Sequence, residues 1–242
     1  KGKGKPVPQP FRYRLRFEKT GRALLLGHLD LVRELPRIMR RAGVSFWISK
    51  GFHPKPVMAF GPALALGVPS FDEYIDIKTE THEDASTLAE RLNQAAPLGL
   101  RFLHARELAP GDPAIGAVVV GARYLVGLPV SQVNEAGGID WLRSRVDEFL
   151  KSETSFVSRV GKGKKGEHEL DVRSQVLGLN LGDSSCVADF DRAGLPGEFY
   201  FLKADLAIRQ DGSVRVREIA DIIGGSGVTA MRAVRTALML SQ

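Results

Sequence analysis

From Phe11 to Phe17 apolar and basic residues alternate without a break, so Phe11, Tyr13, Leu15 and Phe17 share one face of an extended chain and Arg12, Arg14 and Arg16 the other. That is the period of a strand buried on one side. After a turn at Thr20-Gly21 the period changes. Between His28 and Ala42, the residues Leu31, Val32, Leu35, Ile38, Met39 and Ala42 recur at helical spacing, and Arg33, Arg37, Arg40 and Arg41 take the opposite side. Pro36 inside this run predicts a kink or a later start, because proline removes one helical hydrogen bond and crowds the preceding turn. Gly43 stops the helix. Extended segments are then predicted at 44–48, 57–66 and 71–77, a second helix over 84–95, and a closing strand at 100–108. The order βαββαβ predicts an antiparallel sheet with both helices on one face, the ferredoxin-like arrangement.

A second pass through that order begins near Ala117. An aliphatic stretch over 118–130 predicts a strand, and Ile139, Leu142, Val146, Phe149 and Leu150 mark a helix. Further strands are predicted at 154–160, 170–181, 186–190 and 199–208, followed by a helical piece at 214–223, a glycine-rich turn at Gly224–Gly227 and an apolar closing element over 228–240. The expected fold class is therefore α+β: two tandem ferredoxin-like (βαββαβ) units with antiparallel sheets, the second embellished. Residues 11–112 and 113–242 are the expected units, and the Lys-, Gly- and Pro-rich stretch 1–10 is an expected basic arm or linker.

Charge sharpens this picture. Residues 1–60 hold 14 Lys and Arg against 3 Asp and Glu, a surplus of 11, whereas residues 61–242 carry 20 against 25. A polyanion or an acidic partner held at one end of the molecule is the physical expectation. At 242 residues, 43% apolar, the chain has enough material for one large or two small cores. It has no apolar run of membrane-spanning length, and Lys1-Gly2-Lys3-Gly4-Lys5 lacks the apolar segment of a secretory signal, so a cytoplasmic protein without membrane contact is expected. The single Cys186 cannot supply a disulfide, a thiolate zinc site or an iron–sulfur cluster from within the chain.

Several short pieces carry a likeness to a known family. Arg14-Leu15-Arg16-Phe17-x-Lys19-x-Gly21, His28-Leu29-Asp30-Leu31-x-Arg33, Arg40-Arg41-Ala42-Gly43, Gly51-Phe52-x-Pro54-x-Pro56 and Leu66-Gly67-x-x-Ser70-x-x-Glu73-Tyr74-x-Asp76 together resemble the radical-SAM-linked domain of unknown function. Fainter likeness runs through Ala122-Arg123-Tyr124, Asp171-Val172-Arg173 and Val234-Arg235-Thr236, and the chain departs from the pattern at Gly27, Pro36, His53 and Ser174-Gln175. The resemblance implies a radical-SAM protein as partner, fused or separate. That partner is expected to hold the SAM and the iron–sulfur cluster, and this chain to bind no cofactor of its own.

Arg12, Arg14 and Arg16 would lie about 7 Å apart along a strand face, near the phosphate spacing of an extended nucleic-acid strand. With Arg33, Arg37, Arg40, Arg41, Lys50, Phe52, His53 and Lys55 they are the candidate nucleic-acid contacts, phosphates pairing with guanidinium forks and exposed bases stacking on aromatic rings. His28 and Asp30 at the helix start are the candidate acid–base or phosphate-contacting groups, with fastening of the helix entry as their structural alternative. Of Glu73 and Asp76, one is expected to pair with the arginine rows. No spacing demands a metal. Three readings follow: a non-catalytic adaptor that binds RNA for a radical-SAM enzyme, a protein–protein scaffold without RNA contact, and a metal-independent RNA-processing enzyme using His28.

Overall fold

The computed structural model describes residues 9–160, 167–209 and 212–241. The expected basic arm, apart from its last two residues, lies outside them. The fold is mixed α+β with mostly antiparallel strand pairing and, among the described residues, seven α-helices. It separates into two compact units, one comprising the residues up to Gly67 with Asp72–Val118, the other Val68–Phe71 with the residues from Val119.

In the first unit β1 (Phe11–Lys19) leads through a 3₁₀ turn to α1 (His28–Arg41), β2 (Met58–Phe60), β3 (Ser70–Thr79, whose first two residues belong to the second unit), α2 (Ala85–Ala95), β4 (Leu100–Glu107) and the short α3 (Ile115–Val118). The sheet order is β4-β1-β3, with β2 antiparallel to β3. Tyr13, Leu15 and Phe17 are essentially buried and form a core with Leu35, Ile38 and Met39 of α1, Ile75 and Ile77 of β3 and Leu88 and Leu92 of α2. The alternation read from sequence is thus the face on which the helices pack. Asp84 caps α2, its carboxylate accepting the Ser86 amide at 2.9 Å. Gly99 has φ of +92°, and a side chain there would drive its Cβ into the Thr20 carbonyl, so only glycine fits this crossing.

Differences from the expected elements have local causes. The helix starts at His28 and runs as α-helix through Pro36 to Arg41 without interruption. Segments 44–48 and 57–66 do not form full strands. Only Met58–Phe60 does, with isolated pairs Phe46–Thr79 and Ile48–Pro56, because Pro54, Pro56 and Pro62 cannot donate to a ladder.

The second unit contains β5 (Val119–Pro129), α4 (Val130–Glu135), α5 (Gly138–Lys151), β6 (Phe156–Val160), β7 (Glu167–Asp171), β8 (Val176–Leu181), α6 (Cys186–Arg192), β9 (Phe199–Ala207), α7 (Val216–Gly224) and β10 (Arg232–Leu240). Its sheet runs β10-β5-β9-β8, all antiparallel, and β6 and β7 form a separate hairpin. Val126, Leu142, Val146, Leu202, Ile219 and Ile223 lie at the centre of its core. The strand expected at 186–190 is a helix. Cys186, Phe190 and Ala193 are buried at i, i+4 and i+7, a period that five residues are too few to distinguish from alternation. The expected strand 170–181 is two strands, separated where the Asp171 carboxylate accepts the amides of Ser155 and Arg173 at 3.0 and 3.1 Å.

Candidate nucleic-acid interface

The outer face of β1 does not present three solvated guanidinium groups. Arg14 donates to both carboxylate oxygens of Asp76 at 2.7 and 2.9 Å and to the Pro113 carbonyl at 2.8 Å, and the two paired side chains are 8% and 10% exposed. Arg16 donates to Asp72 at 2.6 Å and remains about half exposed. Arg12 reaches the carbonyls of Ala109 and Asp112 at 3.1 and 3.0 Å. The expected cationic row is therefore corrected. β3 brings Asp72 and Asp76 alongside it, and the segment after β4 folds over it, the Ile115 amide donating to Asp76 at 2.7 Å. Asp76 takes the pairing role expected of it or Glu73; Asp72 shares that role and was legible only as one of the alternating positions 72, 74 and 76. Tyr74 stands between them. Burial first, and then the neighbouring Asp72 carboxylate, push its phenol up to about 12.

The helix side is different. Arg33, Arg37 and Arg41 are 72%, 67% and 55% exposed at their side chains, and Arg40 is exposed too. Two carboxylates face these four cations: Glu34 accepts from Arg37 at 3.4 Å and Arg41 at 2.6 Å, and Asp30 lies 3.9 Å from Arg33. Asp30 is chiefly a cap, its Oδ2 accepting the Gly27 amide at 3.0 Å, which is the structural alternative foreseen for it. His28 is exposed and meets Phe60 edge-on, ring centroids 5.0 Å apart.

The loop over 49–55 is pinned at its neck. The Ser49 amide donates to the Lys55 carbonyl at 2.9 Å, and the Lys55 amide to Ser49 Oγ at 3.2 Å. Beyond this neck Gly51 to Lys55 are all exposed, and Phe52 is as open to solvent as a side chain can be, at 103%. Lys50, His53 and Lys55 flank it, and no carboxylate among the described residues pairs with any of the three.

A family profile described as "Uncharacterized protein conserved in bacteria (DUF2344)" matches residues 12–215. The chain belongs to that family. No curated protein matches it. In this DUF2344 chain, pieces far apart in sequence meet at one small cavity. Lys19 from the end of β1, His28 from the start of α1, Phe60 from β2, the loop Gly61–Leu64, and Glu73 and Tyr74 from β3 enclose about 20 Å³, room for about one water molecule. Lys19 is 1% and Glu73 6% exposed. Sequence reasoning did not single out Lys19 as a site residue. The available signal was a lysine continuing the buried register of Phe17. No three His, Cys, Asp or Glu side chains converge as metal ligands among the described residues, so His28, Asp30 and His53 do not form such a set.

Proposed function

We propose that the chain is a non-catalytic binding module that holds RNA on its first unit while a radical-SAM enzyme, its partner in the cytoplasm, contributes the SAM and iron–sulfur chemistry. The partner rests on the sequence resemblance. The RNA rests on the 49–55 loop. A fully solvated phenylalanine is costly to leave in water, and here it is flanked by cations without carboxylate partners, the combination with which proteins stack single-stranded bases and hold the adjoining backbone. The sheet orders β4-β1-β3-β2 and β10-β5-β9-β8 support reading each unit as ferredoxin-like, since each places its first and third strands at the centre.

Titrating a labelled single-stranded RNA by fluorescence anisotropy tests the reading. Phe52→Ala should weaken binding by about 1–3 kcal/mol, with an unchanged melting temperature. Absence of binding by the unaltered chain, or an indifferent F52A variant, would end it.

One observation favours the scaffold reading instead. Leu25, Leu29 and Leu66 are 81%, 67% and 68% exposed, the first two flanking Gly27 in sequence and the third lying against it, and apolar surface of this kind suits a protein partner. Retention of the radical-SAM protein by the unaltered chain, but not by a Leu25→Asp, Leu29→Asp double variant, with no RNA affinity in either, would select that reading.

A further inference from the structure

The face of β1 that carries the arginines lies against the acids and the lysine of β3. Arg16 meets Asp72 and Arg14 meets Asp76, so rising numbers on β1 match falling numbers on β3. Two positions further outward on each strand come Arg12 and Lys78. Both line the same two cavities, one of about 90 Å³ with Val57, Met58 and Asp76, the other of about 450 Å³ with Pro10, Phe11 and Glu107. Arg14 and Arg16 each face an anion. Arg12 and Lys78 line their two cavities as cations together, an arrangement that is unfavourable unless something anionic lies between them.

The protein's own acids near these cavities are engaged elsewhere. The Asp76 carboxylate is taken by Arg14 and the Ile115 amide, and the Glu107 carboxylate faces His82 Nε2 at 3.3 Å. Arg12 spends two donors on the Ala109 and Asp112 carbonyls, which fix the guanidinium in place without neutralising it. No carboxylate among the described residues pairs with Arg12 or Lys78. The main chain of Lys78 is also clasped by the two stems of the exposed loop, since the Trp47 amide donates to its carbonyl at 2.9 Å and its amide to the Val57 carbonyl at 3.1 Å. From Trp47 to Phe52 the chain can reach no more than about 17 Å.

We infer that Arg12 and Lys78 form a phosphate seat at the foot of the Phe52 loop, receiving a backbone phosphate of the same strand whose base stacks on Phe52. This rests on the RNA reading for its ligand, but the seat itself is a statement about two cations and one phosphate group. The larger cavity lies in the size range of small-molecule sites and has room for the attached sugar. Arg12, held by its two carbonyl contacts, orients the phosphate through its remaining N–H groups, and Lys78 supplies a mobile point charge.

Two measurements separate the seat from the reading. In the first, affinity for a single-stranded RNA oligonucleotide is followed against salt for the unaltered chain, Lys78→Gln, Arg12→Gln and Phe52→Ala. Lys78→Gln should weaken binding on the order of tenfold and reduce the slope of log affinity against log salt by about 1, and F52A should lower affinity at an unchanged slope. In the second, inorganic phosphate is titrated by NMR, with shifts expected at Arg12 and Lys78 that disappear in K78Q. Because Arg12 also holds the 109–112 backbone, K78Q is the decisive variant. Loss of the phosphate response in K78Q, with no RNA bound by the unaltered chain, would keep the seat and discard RNA as its ligand. RNA binding that needs Phe52 yet keeps its slope and phosphate response in K78Q would overturn the seat and leave the RNA reading standing.

Discussion

Two arginine-rich surfaces of the first unit, the outer face of β1 and the outer face of α1, have the same residue type and nearly the same density, yet opposite physical status. On β1, Arg14 and Arg16 are drawn into buried or half-buried pairs with carboxylates of the neighbouring strand, Arg12 is tied to the carbonyls of Ala109 and Asp112, and residues 109–115 cover the face. On α1 they stand in solvent, sharing two acids among four cations. The difference teaches that a row of arginines is a binding surface only where the fold places no carboxylates opposite it. A strand lies next to other strands about 5 Å away, close enough for pairing along its length, whereas the outer face of a helix has no such neighbour.

The most severe way to break that contrast is to remove an acid from the β1 face. Asp76→Ala leaves the Arg14 guanidinium buried without its partner and takes the acceptor from the Ile115 amide, so it should cost about 3–5 kcal/mol in denaturant unfolding. A loss below about 1 kcal/mol would mean that this face is wet and equivalent to the helix.

The second unit allows a sharper version through pH. Arg159 on β6 holds Glu218 near the start of α7 at 2.8 and 2.6 Å, both side chains 14% exposed. Burial pushes the Glu218 carboxyl upward, but the hydrogen bonds from Arg159 and from the Arg215 amide outweigh it and hold the group below its ordinary 4.5. A depressed carboxyl contributes stability that is complete above the unfolded value and disappears as pH falls through the folded one. Glu218→Gln should therefore cost about 1.5–3 kcal/mol near neutrality, and the gap between variant and unaltered chain should close as the solution is acidified. A gap independent of pH would contradict the ionic origin. The smallest effect belongs to the helix: Arg37→Ala or Arg41→Ala should change stability by no more than about 0.5 kcal/mol, read from the melting temperature, because these pairs are solvated.

Much of the architecture was legible because it depends on period. The buried register of Tyr13, Leu15 and Phe17, the boundaries of α1 and α2, the long strands at either end of the first unit and the strand that opens the second follow from alternation or helical recurrence over many residues. Short segments were not legible. Cys186 to Phe190 satisfies both periods, and 44–48 is reduced to isolated pairs by prolines that deny it a continuous ladder. At the candidate site Lys50, Phe52 and Lys55 could be named as candidate contacts from the sequence, whereas the fate of Arg14 and the isolation of Lys78 could not.

By itself, then, the sequence determined which side of each long element is apolar, where the longer helices lie, and that positive charge accumulates in its first quarter, since these are properties of neighbouring residues along one chain. Only the tertiary structure decided which of those charges remain available. The electrostatic field at a guanidinium depends on what lies within a few ångströms in space, and for Arg14 and Arg16 that is Asp76 and Asp72, separated from them by more than fifty residues of chain.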